Sequence, residues 1–212
     1  MHMAILINMV MLMNLKKGYT IYDMDDRYFF TSDTHFGSQR TLDLSKRPFS
    51  SVEEMDEVMI NEWNKAVSKD DTVIHLGDFG DLKVRERLNG NLILIQGNYE
   101  EEIPDREVIN SIGKKDVYIT GEGKDHAYLT INEENCTYIA IHRPVDCLVK
   151  DDEKDPSKKF FLFGHIHGRQ FIKEFGIDVG VDANHFRPMS WKDVLFYQNA
   201  IIKKYYDENV FC

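Results

Sequence analysis

Apolar residues fall along this chain in short unbroken runs, each ending at a polar side chain able to bind a cation. Tyr28-Phe29-Phe30-Thr31-Ser32 leads into Asp33 and His35, and Thr72-Val73-Ile74-His75-Leu76-Gly77 leads into Asp78. Leu92 to Gly97 precedes Asn98, Tyr138 to Ile141 precedes His142, and Phe160 to Gly164 precedes His165 and His167. Adjacent apolar residues such as Phe29 and Phe30 predict strands covered on both faces, as in parallel sheets. Open α/β sheets place their sites at the carboxyl ends of such strands.

The intervening pattern fits this layout. Val52, Met55, Val58, Met59, Trp63, Ala66 and Val67 recur at helical spacing after Ser50-Ser51-Val52-Glu53, which resembles a capping box. A short helix is expected around Leu82 to Leu88, ending at Asn89-Gly90, so strand, helix and strand alternate as parallel crossovers require. The long polar connection over 33–49, with Arg40, Arg47 and Pro48, reads as a functional loop. Val117–Thr120, Tyr128–Ile131 and Thr137–Ile141 are close-spaced β runs separated by turn-rich segments, which predicts antiparallel pairing and a second sheet. After a charged loop over 150–159, strands are expected at Phe160–Phe163, Gln170–Phe175 and Ile177–Val181. Ser190 caps a final helix to about Tyr205, with Val194, Leu195 and Ile201 facing inward.

No repeat or linker divides the chain, so one domain over 27–212 follows an N-terminal extension, 1–26. Residues 3–15 are almost all apolar, yet too short to span a bilayer and without a basic leader. A packed arm, an oligomer interface segment and an over-extended gene start all remain open.

Composition narrows the partners. The 212 residues carry a formal net charge of −10, which argues against a basic face for duplex DNA and against anionic membranes. An anionic substrate stays possible, because bound divalent cations invert the local field. Cys136, Cys147 and Cys212 are odd in number and widely spaced, which excludes zinc-finger spacing and fits thiols in a reducing cytoplasm.

Taken singly, each candidate ligand has a duller reading. An Asp after a strand is usually a turn or cap residue, a lone histidine is usually a satisfied polar group, and Asn98 after Gly97 could be a turn. His75, inside a strand, is assigned to packing and His126 to the surface. The joint pattern is different. Asp33-Thr34-His35 and His165-Ile166-His167 place two donors at i, i+2, which share one side of an extended segment. Gly77, Gly97 and Gly164 let the backbone turn tightly beside a bound ion. Oxygen and imidazole donors without thiolate suit Mn²⁺, Fe²⁺, Zn²⁺ or Ni²⁺ rather than Ca²⁺ or a structural zinc.

With Asp33-x-His35, Gly77-Asp78, Gly97-Asn98, His142 and Gly164-His165-x-His167 in this order, the chain resembles the calcineurin-like metallophosphoesterase superfamily. Thr31-Ser32-Asp33-Thr34-His35-Phe36-Gly37 and Leu76-Gly77-Asp78-Phe79 are similar to its small single-domain bacterial and phage-type members. The resemblance implies an α/β fold, a four-layer αββα sandwich of two mixed sheets flanked by helices. It implies two divalent metal ions, with Mn²⁺ ranked first. One would be held by Asp33, His35, Asp78 and His167, the other by Asp78, Asn98, His142 and His165, with Asp78 bridging. In such sites the ions lie ~3.5–4 Å apart and share a hydroxide that attacks phosphorus.

The sequence departs from that pattern after Gly97-Asn98, where Tyr99-Glu100 stands in place of the usual His followed by Asp or Glu. A phenol with a reference pKa of ~10 is a poor general acid, so catalysis on poor leaving groups is expected to be weakened. Ser38 replaces another histidine, and His185 is the candidate substitute for the lost imidazole. Arg40, Arg47, Arg143 and Arg169 lie beside motif residues and could hold phosphate oxygens bidentately, Arg143 or Arg169 above the others. The expected function is a cytoplasmic phosphodiesterase acting on a nucleotide or similar small phosphoester, with Asp78, Asn98, Tyr99 and Arg143 as its catalytic residues. The alternatives are a catalytically weakened metal-binding interaction module on the same fold, possible because of Tyr99, and a mononuclear hydrolase of other chemistry, such as an amidase. A homo-oligomer formed through the N-terminal arm is a further expectation.

Overall fold

The computed structural model describes residues 19–22, 24–113, 115–121, 126–144 and 155–205. The apolar stretch over 3–15, Cys147, Cys212 and residues 150–154 of the charged loop lie outside them. Two mixed sheets with helices make up the fold, as the resemblance implies. The five-stranded sheet is built from β2 (Tyr28–Thr31), β3 (Thr72–His75), β4 (Asn91–Ile95), β5 (Val117–Ile119) and β11 (Met189–Ser190). Its order is β11-β2-β3-β4-β5, parallel except for β11.

The six-stranded sheet contains β1 (Tyr19–Tyr22), β6 (Tyr128–Asn132), β7 (Thr137–Ile141), β8 (Lys159–Phe163), β9 (Ile172–Lys173) and β10 (Gly176–Asp178). Its order is β1-β6-β7-β8-β10-β9. Tyr19–Tyr22 therefore belongs to a sheet, paired in parallel with β6, although it falls in the stretch read from sequence as an extension.

Unbroken apolar strands are explained by what lies on each side. Phe30, Ile74, Leu76, Ile93 and Ile95 face the other sheet and pack against Leu129, Ala140, Phe160 and Leu162. Val73, Leu92 and Leu94 face outward and meet Met55, Met59 and Trp63 of α2 (Val52–Ala66), with Phe29 partly buried against the same cluster. Fully burying each such side chain contributes about 1.5–3 kcal/mol, which is why both faces of β2, β3 and β4 are mainly apolar.

Ser51 caps α2 by accepting from the Glu54 N–H. The expected reciprocal bond is shifted by one residue, because the Glu54 carboxylate accepts from the N–H and hydroxyl of Ser50. Ile60 is buried where Val58 is only half-buried. The segment Leu82–Arg87 is a 3₁₀ helix rather than an α-helix, with the Asp81 side chain accepting at its start. In α4 (Trp191–Ile202), Ser190 and Asp193 form a true capping box. Its buried stripe is Trp191, Val194 and Gln198, with Ile201 partly buried, which rotates Leu195 to 40% exposure against expectation.

One topological expectation fails. β5 pairs in parallel with β4, in the first sheet, and only β6 and β7 form the expected antiparallel hairpin. The connection over Glu100–Glu102 and α3 (Asp105–Ser111) gives β5 a crossover, whereas β6 and β7 are joined by a tight turn.

Candidate metal centre

The candidate ligands meet at the carboxyl ends of β2, β3, β4, β7 and β8. Asp33, His35 and His167 form one donor group, and Asp78, His142 and His165 a second, with the ligand atoms of each within 4.8 Å of one another. Asn98 joins the second, its Oδ1 2.9 Å from His142 Nε2 and 3.0 Å from His165 Nδ1. Asp78 Oδ2 lies 3.4 Å from both His35 Nε2 and His142 Nε2, between the groups.

The pairs converge by a different device from the extended i, i+2 geometry expected. Asp33, His35, Asp78, His165 and His167 all have left-handed backbone, with φ between 48° and 71°. Each such residue costs roughly 1–2 kcal/mol, strain that persists only where the surroundings over-determine it. Here the Asp33 N–H donates to Gly77 O at 3.0 Å and the His35 N–H to Asp78 O at 3.0 Å, so the two ligand loops are zipped together beyond the sheet. The His165 N–H donates to Asp33 Oδ2 at 2.8 Å. Glycine serves this crowding: a Cβ on Gly164 would collide with Asp33 Oδ2 and Ser32 Oγ, and one on Gly97 with Asp78 Oδ1. The glycines thus make room for the ligand carboxylates.

The donor set fits divalent-cation binding. Asp33 Oδ1 and both ring nitrogens of His35 are buried without a hydrogen-bond partner. Each buried polar atom left so costs about 1–3 kcal/mol, and a cation between Asp33 Oδ1 and His35 Nε2, which lie 4.0 Å apart, removes that cost for those two atoms. Tautomers are set from behind. His142 Nδ1–H donates to Leu76 O at 2.8 Å and His167 Nδ1–H to Asp182 Oδ2 at 2.8 Å, so Nε2 is the nitrogen each ring would offer a cation.

Electrostatics separates the groups. Burial pushes His35 down to about 4, against the pull of Asp33 and Asp78. Burial also opposes charge on His142, but its hydrogen bond with Asp78 and the nearby carboxylates raise it to about 9. Asp78 would be raised by burial, yet that hydrogen bond and the charges of His142 and His35 hold it at about 2.

Several supporting residues were not legible from sequence. Buried Arg47 donates to both oxygens of Asp182 at 2.8 Å, to Asp33 O at 2.6 Å and to Thr34 O at 2.9 Å. It therefore braces the first donor group and is not a phosphate-facing residue. Glu100 is a buried carboxylate accepting from the N–H groups of Asp78, Phe79 and Gly97. Asp178, buried and raised to about 7 chiefly by burial, accepts from Gly168 and Gly180 N–H. His75 is buried and held down to about 3 by burial. Its Nδ1 accepts from the Gly77 N–H, and its Nε2–H donates to Thr34 Oγ1.

Above the donors lies a cleft of about 350 Å³, whose wall includes Arg40, Leu44, Lys46, Tyr99 and Arg169. Tyr99 packs edge-on against His35, ring centroids 4.4 Å apart, with its hydroxyl 3.4 Å from Arg40 Nη1. Arg143 does not line this cleft and pairs with Glu101 at 3.5 Å. His185 is exposed and also outside the lining, so nothing supports it as a substitute imidazole. His126 is 40% exposed, as assigned.

The geometry agrees with comparisons to known proteins. An uncharacterized protein of Methanocaldococcus jannaschii is 35% identical over 179 residues, which cover 77% of this chain and 86% of the relative. The gene 66 protein of Mycobacterium phage L5 is 26% identical over 187 residues, 73% of this chain and 86% of the phage protein. A solved structure of a protein of unknown function from Aquifex aeolicus shares the fold with a TM-score of 0.58 at 21% identity, covering 80% of this chain and 98% of that one. Residues 27–179 match the calcineurin-like phosphoesterase superfamily domain, and the chain belongs to that superfamily.

Proposed function

We propose that this chain is a dinuclear-metal-dependent phosphohydrolase that prefers phosphodiesters, with a nucleotide or similar small phosphoester as substrate. The observation that carries the reading is the placement of Asp78 Oδ2 3.4 Å from His35 Nε2 of the first donor group and 3.4 Å from His142 Nε2 of its own. Asp33, His35 and His167 would hold one ion and His142, His165 and Asn98 the other, with Asp78 shared. When bound, the ions supply Lewis-acid charge and acidify water, and the donor set suits Mn²⁺ first, then Fe²⁺, Zn²⁺ or Ni²⁺.

The chain's own groups do the rest. The Arg40 guanidinium and the Tyr99 hydroxyl face the cleft together and donate hydrogen bonds to phosphoryl oxygens, where charge grows during ester cleavage. Tyr99 orients but does not protonate a leaving alkoxide, so esters of acidic alcohols or phenols are the better substrates. The net charge of −10 disfavours duplex DNA as a partner. No helix among the described residues is long and apolar enough to cross a membrane.

The test is turnover of bis-p-nitrophenyl phosphate against p-nitrophenyl phosphate by protein loaded with Mn²⁺, Zn²⁺ or Ni²⁺. Faster diester turnover is expected, and no turnover of either ester with any of these metals ends the hydrolase reading. Tyr99→His is expected to raise the rate most on esters with poor leaving groups. If native protein and this variant are both inert yet bind metal, the interaction-module reading replaces it.

A further inference from the structure

The cleft wall carries three cations, Arg40, Lys46 and Arg169, and its one carboxylate is the ligand Asp78. All three are exposed. In a chain where acidic residues outnumber basic ones 36 to 26, Arg27, Arg47, Arg85, Arg87 and Arg143 each hold a carboxylate. Lys46 and Arg169 form no ion pair among the described residues.

The backbone at Lys46 is the second observation. Helix α1 (Gln39–Leu44) ends at Ser45, and the Arg47 N–H returns to Leu42 O at 3.1 Å. That bond leaves Lys46 at the position of a helix end ordinarily given to glycine, with φ of 52°. A lysine there strains the backbone, because its Cβ crowds the neighbouring carbonyl in the left-handed region. Leu44, 69% exposed, adds apolar surface at the same lip.

We propose that the cleft recognises a phosphoester bearing a second phosphate, which Lys46 and Arg169 hold while the scissile phosphate lies at the donor groups beside Arg40 and Tyr99. The substrate class is a 5′-phosphorylated short oligonucleotide, whose internal phosphodiester is the scissile group, with its sugar and base against Leu44. This assignment rests on the phosphoester reading above and deepens it. Charge-assisted bonds from a lysine and an arginine discriminate by charge number, because a ligand with one phosphate leaves both cations unused.

The experiment compares thymidine 3′,5′-bisphosphate with thymidine 5′-monophosphate by titration calorimetry on the metal-loaded full chain. The native protein is expected to bind the bisphosphate about tenfold more tightly, with the ratio shrinking as salt rises. In Lys46→Asn/Arg169→Gln the ratio falls toward one. Asparagine is chosen because it tolerates the left-handed backbone, and Arg169→Gln alone, at an exposed side chain, carries the test if the double variant is unstable. A ratio near one in the native protein, or one unchanged in the variants, overturns the assignment. Turnover of bis-p-nitrophenyl phosphate by the same native sample reads the hydrolase proposal separately. A tenfold ratio without turnover keeps the two-phosphate site and removes the hydrolase, and turnover with a ratio of one does the reverse.

Discussion

The two donor groups differ in how each is satisfied without an ion. In the first, Asp33 Oδ1 and both nitrogens of His35 are buried with no partner, and His35 is held neutral. In the second, Asn98, His142 and His165 hydrogen-bond one another, and His142 is protonated against Asp78. The first is a preformed cavity of unpaired donors braced from behind by Asp182 and Arg47. The second is a closed polar network that must release a proton to accept a cation. One centre stores its cost as unmet hydrogen bonds, the other as a bound proton.

Removing the residue common to both centres should erase the contrast. Asp78→Asn is expected to lower metal content from two ions per chain to one or none and to cut any phosphodiesterase rate by about 10³-fold or more, read by elemental analysis and initial rates. Removing the brace should affect the first centre alone. Asp182→Ala is expected to weaken its metal affinity by about 10–100-fold and to leave Arg47 buried without its carboxylate. The second effect costs about 3–5 kcal/mol of stability, visible in denaturant unfolding of the metal-free protein.

The proton difference can be tested directly. At pH 7–8 His142 carries a proton in the metal-free chain, so metal loading should release it, and His142→Gln should abolish that release. Calorimetry in two buffers of different ionisation enthalpy reads the proton count. A smaller effect concerns the support beneath both loops. His75 has its folded pKa depressed from 6.5 to about 3, so its neutral form stabilises the fold above pH 6.5 and that contribution is lost as pH falls toward 3. His75→Gln should flatten the acid side of the stability profile of the metal-free protein, measured by urea midpoints between pH 4 and 7.

Much of the site could be read from the chain because each ligand directly follows an apolar strand, and the strand pattern survives translation into structure. Phe29 and Phe30 illustrate it, since adjacent apolar residues met two different cores. What could not be read depends on long-range closure. Arg47 and Asp182 lie 135 positions apart, and neither has a local signature. The left-handed backbone of the ligands is imposed by hydrogen bonds between loops from different strands. Close spacing of the runs at β5, β6 and β7 predicts antiparallel pairing, but the crossover through Asp105–Ser111 brings β5 alongside β4.

Glu100 has a kinetic consequence. One carboxylate receives the amide hydrogens of Asp78, Phe79 and Gly97, which come from two separate loops. Neither loop can open while that clasp is closed, so the three amides should exchange with solvent deuterium at a common rate, as one cooperative unit. Glu100→Gln, which offers a single acceptor oxygen, would uncouple them.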